Sequence, residues 1–486
     1  MRRGSLTLFA VLIISVVLGF LLMLLEGARQ NELRYVATLR SQQAIEGAFA
    51  KYNSCLWENF HLLSCNKDDL EDTLRICADG GFKEKRLGTN LLGLSCDTST
   101  LTSYTLLTDG KGEAFIHMVA SYMKRNILYE SAKAIYNQFE AISDIMQNAG
   151  GDFGKIDTAL NELKQIEKAS KDEVSKKTSH TTAKSSENAS ANPLTEAKNI
   201  LNKAVLSTVI EDEKTISQKA CDWSSAVDKR TLQEGKNSKT QKVEWLERVL
   251  LQQYLLTYFS SYTDSLNADI ERGALNYELE YLVSGKDNDM ENLKIVVDEI
   301  LLMRQALNLV YLMSDAGKVQ EAYVLATALG AVTMNPSVIE AIKIGLLTAW
   351  ALGESVLDVR ALLQGKKIPL IKSKDTWTLG INGLSSISKG YLMAKESPYG
   401  VTYEAYVGTL LFLQADKKLA YRAMNIQEKV VQTVMQDAKF CLDTMCIDAK
   451  AQVVYTYKPV FSDIHLGNKK GSGYQIDTQC VYSYIE

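Results

Sequence analysis

Leu6 to Leu25 forms a run of 20 residues without a charge, broken only by Thr7, Ser15 and Gly19. At about 1.5 Å per residue it reaches roughly 30 Å, the thickness of a bilayer's hydrocarbon core. A cleaved signal peptide uses a shorter apolar region, about 7–15 residues, followed by small residues. Here Glu26-Gly27-Ala28-Arg29 follows, and Glu26 puts a carboxylate where a small residue belongs. The run therefore reads as a signal anchor. Arg2 and Arg3 precede it and Arg29, Arg34 and Arg40 follow, so local charge does not set its direction. Long domains translocate largely regardless of charge, which favours a cytoplasmic N-terminus with the bulk of the chain outside.

Past Glu26 the period becomes amphipathic rather than ending. Leu33, Val36, Leu39, Ala44, Ala48, Phe49 and Tyr52 recur at three-to-four spacing among Arg, Gln and Glu. The pattern predicts one helix of about 50 residues, half in the membrane and half packed on a water-soluble body. Ser99–Thr108, rich in Thr around Tyr104, predicts a strand that turns at Asp109–Gly112. A helix follows from Glu113 to about Gln147, stopped by Gly150-Gly151. Residues 168–192 hold no aromatic and one large aliphatic residue, Val174, and predict a flexible polar linker or insertion.

Helices dominate beyond that point: Val243–Phe259, Asn292–Met313, Val319–Leu329, and one opening at Pro336 and running to Leu363. The last has a charge-free core of only 10 residues, Ile344–Gly353, too short to span a bilayer. Trp245 and Trp350 lie on these helices and predict core positions rather than a ligand box. Ala451–Phe461 and Tyr474–Tyr484 alternate in the strand period and predict two strands able to pair with Thr100–Leu107. The predicted fold is α+β and mostly helical: a long N-terminal transmembrane helix, a helical ectodomain, and a small antiparallel sheet near the C-terminus. The expected segments are an anchor and long helix over 1–59, a mixed region over 60–167 and the linker over 168–192. A helical bundle over 193–435 and a β-rich end over 436–486 complete the chain.

Composition narrows the function classes. The chain is 46% hydrophobic and 23% charged with net charge −4, which leaves no basic excess for nucleic acid. Of the 8 cysteines, Cys55, Cys65, Cys77 and Cys96 cluster early and Cys441, Cys446 and Cys480 late, with Cys221 between. An even count in an exported chain makes them candidate disulfide partners, Cys441 with Cys446 or Cys480 among the local choices, with free, buried thiols as the alternative. No C-x-x-C pair and no histidine at ligand spacing supports zinc.

The usual catalytic signatures do not occur. His61, His117, His180 and His465 stand alone in sequence and read as structural. Asp287-Asn288-Asp289 with Glu291 lacks the glycine and terminal Glu of a calcium loop and reads as a helix cap. Glu354 and Asp358 share a helix face with Arg360 nearby, and a salt-bridge network with Arg304 or Arg360 outweighs acid–base work. Glu278 and Glu280 belong to the same class of buried polar residue. These features predict a non-catalytic protein with no metal or cofactor.

The opening Arg-Arg-Gly-Ser-Leu-Thr-Leu-Phe-Ala resembles the start of TadE/TadG-like proteins associated with tight-adherence (Flp) pilus systems. Tyr104–Asp109 with Gly112-Glu113, Asn276–Lys286, Ala351–Lys366 leading to Ile368–Lys372, and Val401–Tyr406 resemble a large uncharacterised bacterial family with that same start. The resemblance implies a surface protein whose partners are the lipid bilayer, other pilus or pseudopilus subunits and assembly proteins. It also makes Gly4-Ser5 a candidate peptidase processing site. Cleavage there would place Phe9 fifth, where pilins carry a Glu thought to pair with a neighbour's terminal amine during assembly. That departure points to a minor or accessory subunit rather than a repeating shaft subunit. An anchored module for a wall polymer or small ligand is the alternative.

Overall fold

The computed structural model describes residues 2–80, 92–125, 133–134, 136–137, 139–141, 144, 205–210, 213–238, 240–266, 273–330, 336–383, 387, 392–461, 469–470 and 473–485. The expected linker at 168–192 lies outside them, as do His180, His465 and much of the expected helix beyond Lys124. The protein is α+β and mostly helical, and its strands form one antiparallel sheet near the C-terminus. It divides into two compact units that do not follow sequence order. The first joins Met1–Asn126, Val227–Arg248 and Val431–Glu486; the second joins Ile127–Ala226 and Val249–Val430. The segments expected over 1–59 and 436–486 are thus parts of one body, because strand pairing and helix packing tie them together.

In the first unit α1 (Arg2–Phe49) is one continuous helix of 48 residues. From Leu8 to Leu25 its large apolar side chains are mostly exposed, and the helix is long and apolar enough to cross a membrane, consistent with an anchor. Beyond Leu25 a buried stripe takes over: Glu26, Gln30, Leu33, Ala37, Ser41, Ala44, Ile45, Ala48 and Phe49. Leu39 and Tyr52, expected on that stripe, are 46% and 41% exposed; the helix turns Ala37, Ser41 and Ile45 inward instead. Small residues at 37, 41, 44 and 48 let the backbone lie close to what it covers.

What it covers is the sheet. α2 (Ser54–Phe60), β1 (Cys65–Asn66), α3 (Lys67–Gly80), β2 (Ser95–Leu106) and α4 (Glu113–Lys124) follow in order. The sheet is completed by β3 (Met445–Tyr457), β4 (Lys469–Lys470) and β5 (Gly473–Ser483). β3 is central and pairs antiparallel with β1, β2 and β5, and β4 lies outside β5. Alternation along β3 sends Ala449, Ala451, Val453 and Tyr455 into the core beneath α1 and α3. Ser41 Oγ reaches Tyr455 OH at 3.2 Å and Thr478 Oγ1 at 2.5 Å, and Phe49 packs 4.7 Å from Tyr482.

The second unit is built from helices. They include α6 (Glu278–Ser284), α7 (Asp289–Ser314), α8 (Ala316–Gly330), α9 (Pro336–Leu363) and α10 (Tyr403–Phe412), with most of α5 (Trp245–Tyr258) and α11 (Asp416–Val434). Asn288 caps α7 by accepting the Glu291 amide at 2.8 Å, while buried Asp289 accepts from the Asn276 and Tyr277 amides. Asn288 is thus the helix cap, and Asp289 ties the preceding 276–277 segment to the helix. Though α9 is long and apolar enough to cross a membrane, every residue from Gly345 to Leu363 is buried. It is a core helix. Trp350 is buried as expected and donates its Nε1 proton to the Leu379 carbonyl at 2.7 Å; Trp245 is not, at 45% exposed.

Candidate functional site

Where α1 leaves its exposed apolar half, Glu26 is 1% exposed. Its Oε2 accepts the amide protons of Val460 (3.1 Å) and Phe461 (2.9 Å), and its Oε1 meets Arg29 Nη1 at 3.1 Å. Arg29 also donates to the carbonyls of Leu92 and Lys458, at 3.0 and 3.2 Å. This charged pair gathers the loops before β2 and after β3 around the base of the helix. Sequence reading placed Glu26 at the membrane edge and gave it no partner. Gly4 and Ser5 lie in the first turns of α1.

The core of the second unit holds a chain of ions with no exposed member. Arg304 on α7 donates from Nε and Nη2 to Asp358 Oδ2 on α9, at 3.0 and 2.8 Å. Lys372 Nζ lies 2.8 Å from Glu354 Oε1 and 2.7 Å from Asp358 Oδ1, the latter an ion contact rather than an aligned hydrogen bond. Asn308 adds a bond to Asp358, Tyr406 accepts from Arg304, and the Thr378 and Leu379 amides donate to Glu354. Two carboxylates face two cations, so the cluster is neutral. Burial alone would discharge Arg304, but Asp358 and then Tyr406 hold its pKa above the ordinary value.

Of the residues singled out in the sequence, Arg304, Glu354 and Asp358 meet here. Arg360 does something else: its hydrogen bonds run to the Thr208, Ile387 and Leu392 carbonyls. Lys372 was missed. The signal for it was charge balance, since one arginine cannot neutralise two acids on a buried face. It ends the apolar stretch Ile368–Ile371.

Glu278 and Glu280 form a second group, around the turn before α6. Glu278 accepts the Ser260 amide at 3.0 Å. Glu280 accepts the Tyr262 amide at 2.9 Å and the Tyr403 hydroxyl at 2.7 Å, both on Oε1, while Oε2 accepts no hydrogen bond. Burial pushes its carboxyl up to about 7.

In the first unit a cavity of about 440 Å³ is lined by His117, Lys124, Gln241, Glu244, Glu247 and Asp448, among others. His117 Nδ1 lies 3.0 Å from Glu247 Oε1 and Nε2 lies 2.7 Å from the Gln241 carbonyl. Both ring nitrogens are therefore held by oxygen atoms of the protein. Burial alone would raise Glu247, but the Glu244 amide and His117 hold its carboxyl below the ordinary range.

All eight cysteines carry free thiols, so the candidate bridges are not formed in this structure. Cys446 faces Cys65 across the β1–β3 ladder rather than Cys441, and Cys480 pairs in register with Ala451. Cys55 is buried in α2 and Cys77 is half-buried on α3. Burial pushes Cys96, Cys221 and Cys480 up to about 11, which favours the protonated thiol.

Fold and sites together define an α+β protein with a long N-terminal helix, apolar and exposed in its first half, and a buried internal ion network. Residues 183–457, more than half of the chain, match a family of unknown function (DUF5702), and the chain belongs to that family. No curated protein and no solved structure matches it.

Proposed function

We propose that this protein is a membrane-anchored, pilin-like accessory or minor subunit of a tight-adherence (Flp-type) pilus or related surface apparatus, without catalytic activity. The observation that carries the reading is α1. Its first half bears exposed apolar residues over a bilayer's length, and its second half packs across an antiparallel sheet through a buried stripe. The opening Arg-Arg-Gly-Ser start, similar to TadE/TadG-like proteins, supports the same reading. In it the chain is single-pass, its N-terminus is cytoplasmic and its bulk is extracellular. Its partners are lipid, other pilus or pseudopilus subunits and assembly proteins.

The ion network fits a static role. Lys372 donates to Glu354 and the Thr376 carbonyl and lies in ion contact with Asp358, whose Oδ2 takes three bonds. Such a closed set leaves no vacant position for substrate. A second reading, an anchored module for a small ligand or wall polymer, is favoured by the cavity beside His117.

The deciding experiment is mass spectrometry of the native N-terminus from purified cell envelope, with fractionation of sheared pilus material. A mature start at Ser5 and recovery with the sheared material are expected. An intact Met1 or Arg2 in a chain missing from that fraction moves the reading to the ligand-binding module. A start near Gln30 overturns the anchor.

A further inference from the structure

The base of α1 carries exposed apolar side chains that the unit's own core leaves uncovered. Leu92 is 41% exposed, Val460 65% and Phe461 44%, and all three belong to the loops that close on Glu26 and Arg29. Leu25, one residue before Glu26, is the last residue of the exposed apolar run. These loops therefore lie within about one helical turn, roughly 5 Å, of the point where the run ends.

Four polar backbone atoms of this rim are satisfied inwardly. The Val460 and Phe461 amides go to Glu26, and the Leu92 and Lys458 carbonyls go to Arg29. Leu92, Val460 and Phe461 face out beside them, with exposed Lys458 able to reach phosphate headgroups. A rim with capped polar atoms, outward apolar side chains and a flanking lysine suits the boundary between headgroups and acyl chains.

We infer that the first unit sits directly on the bilayer, with Leu92, Val460 and Phe461 seated in the lipid interface around the base of the anchor. This rests on the anchor reading, and it adds that the ectodomain's own loops bind lipid. The rim would fix the height and tilt at which α1 emerges, which the helix alone leaves free to swivel.

The test is fluorescence quenching of the full chain in phosphatidylcholine–phosphatidylglycerol vesicles containing lipid brominated near the headgroup end of one acyl chain. Single variants Phe461→Trp and Leu92→Trp are each read as a difference from the native chain. Ile13→Trp, within the apolar run, reports the anchor. Ile76→Trp is the aqueous control: it is 65% exposed on α3, next to Cys77, which lies beside Gly47 and so roughly 30 Å along α1 from Glu26. Quenching at 461 and 92 comparable to that at 13, with none at 76, is expected. Quenching at 13 alone overturns the docking and leaves the anchor intact. Quenching at none of them overturns the anchor reading, and equal quenching at 76 overturns docking as a specific contact.

Discussion

Lys372 and Glu354 form an ion pair at 2.8 Å in which neither side chain reaches solvent. Removing one partner of such a pair leaves an uncompensated buried charge, a loss of about 3–5 kcal/mol. Lys372→Met strands the Glu354 charge and leaves Asp358 with Arg304 as its one cation. The expected outcome is a large fall in the urea midpoint followed by tryptophan emission. The double variant Glu354→Gln with Lys372→Met restores neutrality, since Arg304 and Asp358 still balance. It is expected to recover much of the lost stability, and the mutant cycle reads the coupling. A single variant as stable as the native chain would show that the pair is dispensable.

Glu280 makes stability fall as pH rises. Its folded carboxyl keeps a proton up to about 7, whereas an unfolded Glu releases it near 4.5. Between those values the folded state binds more protons, so stability is full below pH 4.5 and is lost up to about 7. The shift corresponds to at most about 3 kcal/mol. Asp289 also acts on this carboxyl, and its own pKa is raised by burial, so it adds to the same trend at lower pH. Glu280→Gln keeps the Tyr262 and Tyr403 contacts without the charge. It is expected to flatten the difference in melting temperature between pH 5 and pH 7.5. An undiminished difference in that variant would assign the pH dependence to other groups.

Local signals in the sequence reached far into this fold. The apolar run, the Asn288 cap, the Pro336 start of α9 and the alternation of β3 and β5 all depend on near neighbours, and each has its counterpart in the structure. Long-range partners were not legible. Nothing near Glu26 announces that its carboxylate will be taken by an amide 434 positions away. Nothing beside Lys372 in sequence announces the two acids that α9 places against it. Trp245 failed for a related reason: a helix apolar on most faces does not tell which face stays uncovered.

The Glu26 seat predicts a local effect rather than a global one. Glu26→Ala removes the acceptor for the Val460 and Phe461 amides and leaves Arg29 without its carboxylate. Losing buried acceptors costs about 1–3 kcal/mol locally, or roughly 5- to 150-fold in opening equilibrium. Hydrogen exchange is therefore expected to speed up at the 460 and 461 amides while the β3–β5 ladder keeps its protection. Faster exchange spread through β3 and β5 would instead make Glu26 part of the sheet's global stability.

Cys65 and Cys446 are direct partners in the β1–β3 register. Facing residues in an antiparallel pair have Cα atoms about 4.5 or 5.5 Å apart, both within the range a disulfide accepts. Cys65 Sγ already lies 3.8 Å from the Cys446 carbonyl oxygen. Both residues are buried, at 3% and 0% exposure, and contact with the Cys65 thiol together with burial pushes Cys446 far above the ordinary thiol range. A thiol held protonated and out of solvent exchanges slowly, so any bridge must form before β1 docks on β3. Refolding the full chain in mixed oxidised and reduced glutathione is expected to join these two cysteines. The two thiols lose two protons and two electrons to oxidised glutathione. Adding the same mixture to the folded chain is expected to leave both as thiols. Alkylation followed by non-reducing peptide mapping distinguishes the cases, and a bridge from Cys446 to Cys441 or Cys480 would mean that this register does not direct the pairing.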